Sequence, residues 1–309
     1  MAPPWPSYLA LHESGELAGR AAQAWELLEP CTACPRECGA ARLSGAAGFC
    51  GGAELTVVSS AGPHFGEERP LVGTGGSGTI FLAGCNLGCI FCQNYEISHL
   101  RQGVEVGADE LANTMVRLQA RGCHNINFVT PTHYVPQILA ALVIAVAAGL
   151  RVPLVYNSGG YDAVPTLRLL DGVFDIYMPD AKYAEGEVAA RLSGAGDYPE
   201  VMRAALTEMH RQVGDLEIGP DGLARRGLLV RHLVLPDGLA GTPEVMRFLA
   251  SLSRDTYVNV MAQYRPCYQA HEHPELCRGI TADEYREAVQ AALDAGLHRL
   301  DDRPRQFML

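Results

Sequence analysis

Gly84-Cys85-Asn86-Leu87-Gly88-Cys89-Ile90-Phe91-Cys92-Gln93-Asn94-Tyr95 spaces three cysteines as Cys-x3-Cys-x2-Cys, with an aromatic residue just before the third. Three thiolates can hold three corners of a 4Fe–4S cube, because such clusters take cysteine ligands. The fourth iron then has no protein ligand and can bind and activate another molecule. The three positions also fall at i, i+4 and i+7, one face of a helix, and free cysteine is often buried. Gly84, Asn86 and Gly88 interleave with them and argue for a loop instead. The preceding run Thr79-Ile80-Phe81-Leu82-Ala83 reads as a buried strand, so a cluster loop directly after a strand is the better account.

Downstream of that loop the pattern alternates. Short apolar runs predict strands at 79–83, 124–129, 152–156, 173–178, 227–235 and 256–261. Apolar residues at three- and four-residue spacing predict helices at 107–121, 134–149, 163–170, 199–213, 243–253 and 282–296. Thr242-Pro243-Glu244 and Thr281-Ala282-Asp283-Glu284 carry helix-start signals, a Thr N-cap followed by Pro or acids. Pro220-Asp221-Gly222 predicts a tight turn in a small hairpin. Six β–α units in a row imply a parallel sheet with right-handed crossovers, either open or curled. Upstream, 13–28 is expected to be a helix and Leu55–Ser59 a short strand. The expected division is a Cys-rich N-terminal extension over 1–75 and a catalytic domain over 76–309.

In α/β sheets functional residues gather at the carboxyl ends of strands. Read in order, those ends hold the cysteine loop, Thr130-Pro131-Thr132-His133, Asn157-Ser158, Asp180-Ala181-Lys182, Arg231-His232 and Gln263-Tyr264. Asp180 and Lys182 alone could be a surface ion pair. At successive strand ends they form a coherent polar set, and a substrate is expected near Asp180, Lys182, His133 and Tyr264. His133 could instead cap the helix that follows.

A second set, Cys31, Cys34, Cys38 and Cys50, has four thiols at spacings of two, three and eleven residues. Four suffice for a closed structural zinc site or a second Fe–S cluster. Zinc is favoured because so small and apolar-poor a module needs a staple. Cys267, His271, His273 and Cys277 sit in a polar loop and read as surface residues; Cys123 reads as core.

Ten cysteines in short clusters fit metal ligands in a reducing compartment better than disulfides. Met1–Ala10 lacks the basic start and apolar core of an export signal, so a cytoplasmic location is expected. The longest apolar run, Ile138–Leu150, is too short to span a bilayer. The net charge of −11 and the lack of a basic run argue against nucleic acid as a partner.

The cysteine spacing resembles that of the radical S-adenosylmethionine (radical SAM) superfamily. Further motifs extend the likeness over almost the whole chain: Cys31-x2-Cys34-Pro35-Arg36-x-Cys38, Gly48-Phe49-Cys50, Cys92-Gln93-Asn94-Tyr95, Thr130-Pro131-Thr132-His133 and Gln263-Tyr264-Arg265-Pro266. Together they resemble the pyruvate formate-lyase activating enzyme-like proteins (PflX type), relatives of the AmmeMemoRadiSam proteins. The resemblance implies a partial (β/α)6 barrel and a 4Fe–4S cluster on Cys85, Cys89 and Cys92. It implies SAM bound at the open iron, a one-electron donor such as flavodoxin or ferredoxin, and hydrogen-atom abstraction by a 5′-deoxyadenosyl radical.

Many members carry Gly-Gly-Glu after the second strand for the SAM amino group. Here Val129-Thr130-Pro131-Thr132 stands there, so Thr130, Thr132 or a backbone carbonyl is expected to take that part. Asn157 and Ser158 stand where ribose contacts are usual. Asp180-x-Lys182 resembles the Asp-Val-Lys motif of glycyl-radical activases, and Arg231 an arginine near their SAM. The rival readings are activation of a glycyl-radical partner protein, and a non-catalytic Fe–S or zinc scaffold.

Overall fold

A computed structural model describes residues 5–301. The outermost ends of both expected segments, 1–4 and 302–309, lie outside the described residues. The chain opens with helices α1 (Tyr8–Glu13) and α2 (Glu16–Trp25), then the irregular cysteine segment. One helix was expected over 13–28. It is present, shortened, as α2, and Gly15, at φ 81°, separates it from α1.

Strand β1 (Thr56–His64) leads through a helical turn, α3 (Arg69–Val72), into β2 (Ser77–Leu82). After the cysteine loop come α4 (Tyr95–Ser98), β3 (Val104–Val106) and α5 (Ala108–Ala120). Then follow β4 (Ile126–Val129), α6 (Val135–Ala147), β5 (Leu154–Asn157), α7 (Val164–Leu169), β6 (Ile176–Tyr177), α8 (Gly186–Ser193) and α9 (Tyr198–Val213). The chain closes with β7 (Glu217–Ile218), β8 (Ala224–Leu233), α10 (Thr242–Leu252), β9 (Tyr257–Met261) and α11 (Ala282–Asp294).

The nine strands form one sheet in the order β3-β1-β2-β4-β5-β6-β8-β7, with β9 also on β8. β2, β4, β5, β6, β8 and β9 run parallel. These are the six strands expected from the alternating pattern, and the sheet they form is open. The hairpin at Pro220–Gly222 is present, with β7 antiparallel to β8. β1 is longer than expected and pairs antiparallel with β2, so the segment before residue 75 contributes to the sheet.

Strand alternation sorts the core into two. Tyr156, Tyr177, Leu228 and Val258 pack outward with the helices in the main cluster. Val155, Ile176, Leu229 and Tyr257 point to the other face and meet Leu71, Met178, Leu216 and Ala224 in a separate, smaller cluster. An inner cluster drawn from several parallel strands is what a curled sheet produces. α6 is apolar nearly all round because α2 and α5 both cover it. Thr281 caps α11 as expected, accepting from the Glu284 N–H at 3.1 Å. Thr242 does not cap α10: it is the first residue inside that helix, and its hydroxyl lies 2.8 Å from His232 Nε2.

Candidate active site

The carboxyl ends of the parallel strands open into a cavity of about 250 Å³. Cys85, Cys89 and Cys92 lie on its wall with Thr130, Asn157, Ser158, Asp180, Lys182 and Arg231. The cysteine loop follows β2 without a helix. Each thiol has a nearby donor: the Leu87 N–H lies 3.3 Å from Cys85 Sγ, Ser193 Oγ 2.9 Å from Cys89 Sγ, and Ser98 Oγ 3.1 Å from Cys92 Sγ. Burial pushes the Cys85 and Cys89 thiols upward, so a cation is needed to hold them as thiolates.

Opposite stands a charged network. Lys182 Nζ donates to Asp180 Oδ2 at 2.6 Å, and Arg231 Nε to Asp180 Oδ1 at 3.1 Å. Burial alone would raise the Asp180 carboxyl; the charges of Lys182 and Arg231 outweigh it and hold it below the usual range. Burial would lower Lys182 and Arg231; Asp180, joined by Cys89 at Lys182 and by Glu68 and Glu67 at Arg231, holds both above their usual range. All three are therefore charged at neutral pH. Arg231 Nη2 also donates to Asn157 Oδ1 at 2.6 Å, which fixes that side chain at the cavity wall.

Thr130 sits at φ 61° at the end of β4. A β-branched residue in the left-handed region is strained. Its N–H donates to Asn157 O at 2.8 Å, so the strained turn is pinned to the neighbouring strand end.

Other expected residues go elsewhere. Thr132 donates to Asp162 Oδ1 at 2.7 Å and does not line the cavity. His133 is buried behind the cysteine loop with Nε2 3.0 Å from Ala83 O. Tyr264 is buried with its hydroxyl donating to Leu276 O at 2.8 Å. Neither His133 nor Tyr264 is on the cavity wall with Asp180 and Lys182, contrary to expectation. Cys267 and Cys277 lie in the loop after β9, where Cys277 Sγ faces the carbonyls of His271 and His273. Cys123 is buried, as expected.

Three contributors had no local signal in the sequence. Asp162 is buried and accepts from Thr132, Tyr156 and Ser158, tying the ends of β4 and β5 together. Glu67 and Glu68 reach the inner face from the β1–β2 connection. Glu67 lies 3.9 Å from Arg231 Nη1, and Glu68 accepts from Asn259 Nδ2 at 2.7 Å. Only the fold brings these acids to Arg231, about 160 residues away in sequence.

The segment that carries the N-terminal cysteines abuts the first set's loop, where a Cβ on Gly84 would stand 2.2 Å from Cys50 O. Cys31, Cys34 and Cys50 are buried and Cys38 is exposed. Among the described residues, no three Cys, His, Asp or Glu side chains stand at the spacing one metal ion would impose. No helix among them is long and apolar enough to cross a membrane.

Residues 79–213 match the family model described as the radical SAM superfamily. Over 239 residues the chain is 33% identical to the uncharacterized protein MJ0674 of Methanocaldococcus jannaschii. That alignment takes in 74% of this chain and 64% of the relative, less than two thirds of its length.

Proposed function

Since the chain contains a radical SAM domain over residues 79–213, we propose that it is a radical SAM enzyme working in the cavity at the strand carboxyl ends. The observation that carries the reading is that Cys85, Cys89 and Cys92 share one cavity with the Asp180–Lys182–Arg231 network. A 4Fe–4S cluster on those three thiolates would supply one electron to the sulfonium of S-adenosylmethionine. The donor set fits such a group: three soft sulfurs, each with an N–H or O–H nearby to steady a thiolate.

The chain's own residues then have distinct tasks. Thr130, Asn157, Ser158 and Arg231 hold SAM, with Thr132 supporting through Asp162 rather than touching it. Asp180 and Lys182 orient the substrate, from which a hydrogen atom is removed. Leu87, Val129, Leu233 and Met261 supply the apolar part of the wall that excludes water. A one-electron donor such as flavodoxin or ferredoxin is required from outside.

The test is anaerobic reconstitution with iron and sulfide, reduction, and addition of SAM. The expected products are methionine and 5′-deoxyadenosine. Cys89→Ala should reduce 5′-deoxyadenosine to background, because one lost thiolate releases the cluster. Undiminished product in Cys89→Ala overturns the assignment.

A further inference from the structure

Arg42 is a buried cation without an anion. It is 1% exposed. Its Nη1 donates to His133 O at 2.7 Å and its Nη2 to Ala53 O at 2.9 Å, both neutral carbonyls. Its Nε has no partner. Among the described residues no carboxylate pairs with it. Cys31 Sγ, an atom able to carry negative charge, lies 4.0 Å from Nη1. Burying an unpaired guanidinium is strongly unfavourable, since neutral dipoles only partly replace the water it loses. Something anionic belongs beside it, and Cys31 is there, with Cys50 near enough to feel its charge.

We propose that Cys31, Cys34, Cys38 and Cys50 bind a thiophilic metal centre, a zinc ion or an iron–sulfur cluster, with Arg42 as its buried counter-ion. Occupancy of this centre holds the loop 84–92 in place. Four thiolates on a metal carry net negative charge, which Arg42 offsets. The local backbone is built for both groups. The Gly52 N–H lies 3.4 Å from Cys50 Sγ, and a Cβ on Gly52 would come 2.7 Å from Arg42 Nη2. A zinc ion has to draw the four sulfurs inward, whereas a cluster accepts wider spacing.

Two contacts link this centre to the other cysteine loop. Arg36, between Cys34 and Cys38, donates from Nε to Asn86 O at 2.9 Å and from Nη1 to Gly194 O at 2.6 Å. Its guanidinium also lies 4.1 Å from the Phe49 ring, next to Cys50. At Gly84, with φ 84°, a Cβ would stand only 2.2 Å from Cys50 O. Asn86 and Gly84 flank Cys85, so the N-terminal fold sets the position of the first ligand of the other loop. The naming of loop 84–92 as a radical-cluster loop rests on the function proposed above; the N-terminal centre does not.

The experiment uses the full chain with Cys85, Cys89 and Cys92 all changed to Ala, purified without oxygen. Elemental analysis should find about one zinc per chain, or an iron–sulfur cluster seen by absorption and electron paramagnetic resonance. Which metal appears identifies the source. Arg42→Met in that background should lose most of the metal with unchanged circular dichroism, and Arg42→Lys should recover part of it. A folded, metal-free triple variant overturns the proposal, as does full metal retention in Arg42→Met. For the coupling, chelating the remaining metal should speed amide exchange over 84–92 by about tenfold or more; unchanged exchange overturns that part. Wild-type protein that keeps this metal but makes no 5′-deoxyadenosine sinks the proposed function alone.

Discussion

The two cysteine sets lie side by side and differ in what surrounds them. Cys85, Cys89 and Cys92 face a cavity, and the cations near them, Lys182 and Arg231, have carboxylate partners in Asp180 and, 3.9 Å from Arg231, Glu67. Cys31, Cys34 and Cys50 are packed into the protein, and the buried cation near them, Arg42, has no carboxylate partner among the described residues. An open metal site leaves room for chemistry, and a closed one contributes to folding. The difference teaches that two cysteine sets with similar ligand counts can differ in how the charges around them are paired. On the proposed reading the cations of the open side have carboxylate partners, whereas Arg42 on the closed side gains an anionic partner only when the thiols beside it bind a metal.

The sharpest way to break that comparison is to unbalance the open side. Asp180→Ala leaves Lys182 and Arg231 without their shared carboxylate, and stability should fall by about 3–5 kcal/mol. Denaturant unfolding of the wild type and the variant measures it. Asp180→Ala should also lose substrate-coupled turnover while SAM cleavage without substrate persists. Failure of SAM binding itself would instead move Asp180 into the cofactor site. A stability change within about 0.5 kcal/mol, the scale of an ordinary surface substitution, would mean the network does not hold the open side.

Much of the open side was legible in the sequence. The cysteine spacing, the β–α alternation and the strand-end residues Asn157, Asp180, Lys182 and Arg231 are local patterns, and the fold brings them together. Thr132, His133 and Tyr264 sat at the same strand ends yet point elsewhere. Position along a strand end fixes where a Cα lies, whereas the side-chain direction depends on a partner such as Asp162, Ala83 or Leu276. Asp162, Glu67 and Glu68 carry no spacing signal, because their partners are set by tertiary contact alone. The division near residue 75 followed composition, and composition does not report that β1 pairs with β2. Arg42 was unreadable for the same reason: only burial distinguishes it from a surface arginine.

Gly84 joins the two regions, so it tests whether they share one geometry. Its φ of 84° is costly for any residue with a Cβ, and that Cβ would meet Cys50 O at 2.2 Å. Gly84→Ala should destabilise the protein by about 2–4 kcal/mol and loosen both cysteine sets. Gly88→Ala is the control. Gly88 lacks a positive φ, and its Cβ would stand 3.4 Å from the Phe49 ring. It should cost about 1 kcal/mol or less. Equal losses for the two variants would show that the Cys50–Gly84 contact does not fix the loop.

The smallest effect concerns acid. His133 braces the junction through Ala83 O, and His232 braces the open side, with Nδ1 2.6 Å from Ala181 O and Nε2 2.8 Å from Thr242 Oγ1. Ala181 O can only accept, so Nδ1 carries the proton and Nε2 accepts from the Thr242 hydroxyl. Burial lowers both rings to about 4, only partly opposed by the carbonyls they face. The unfolded chain takes up these protons near pH 6.5 and the folded chain only near 4. The stabilising contribution is therefore complete above the unfolded value and is lost as pH falls toward the folded one. Between pH 7.5 and 5, each ring should remove about 2 kcal/mol of stability. His232→Asn keeps a donor and an acceptor but cannot titrate, so it should lose about 2 kcal/mol less than wild type over that interval. Denaturant midpoints at the two pH values decide it, with His133→Asn in parallel. Equal relief from the two variants means both regions are braced by a neutral imidazole. Relief from His133→Asn alone would mean that the loop carrying Asp180 and Lys182 does not depend on His232 staying neutral.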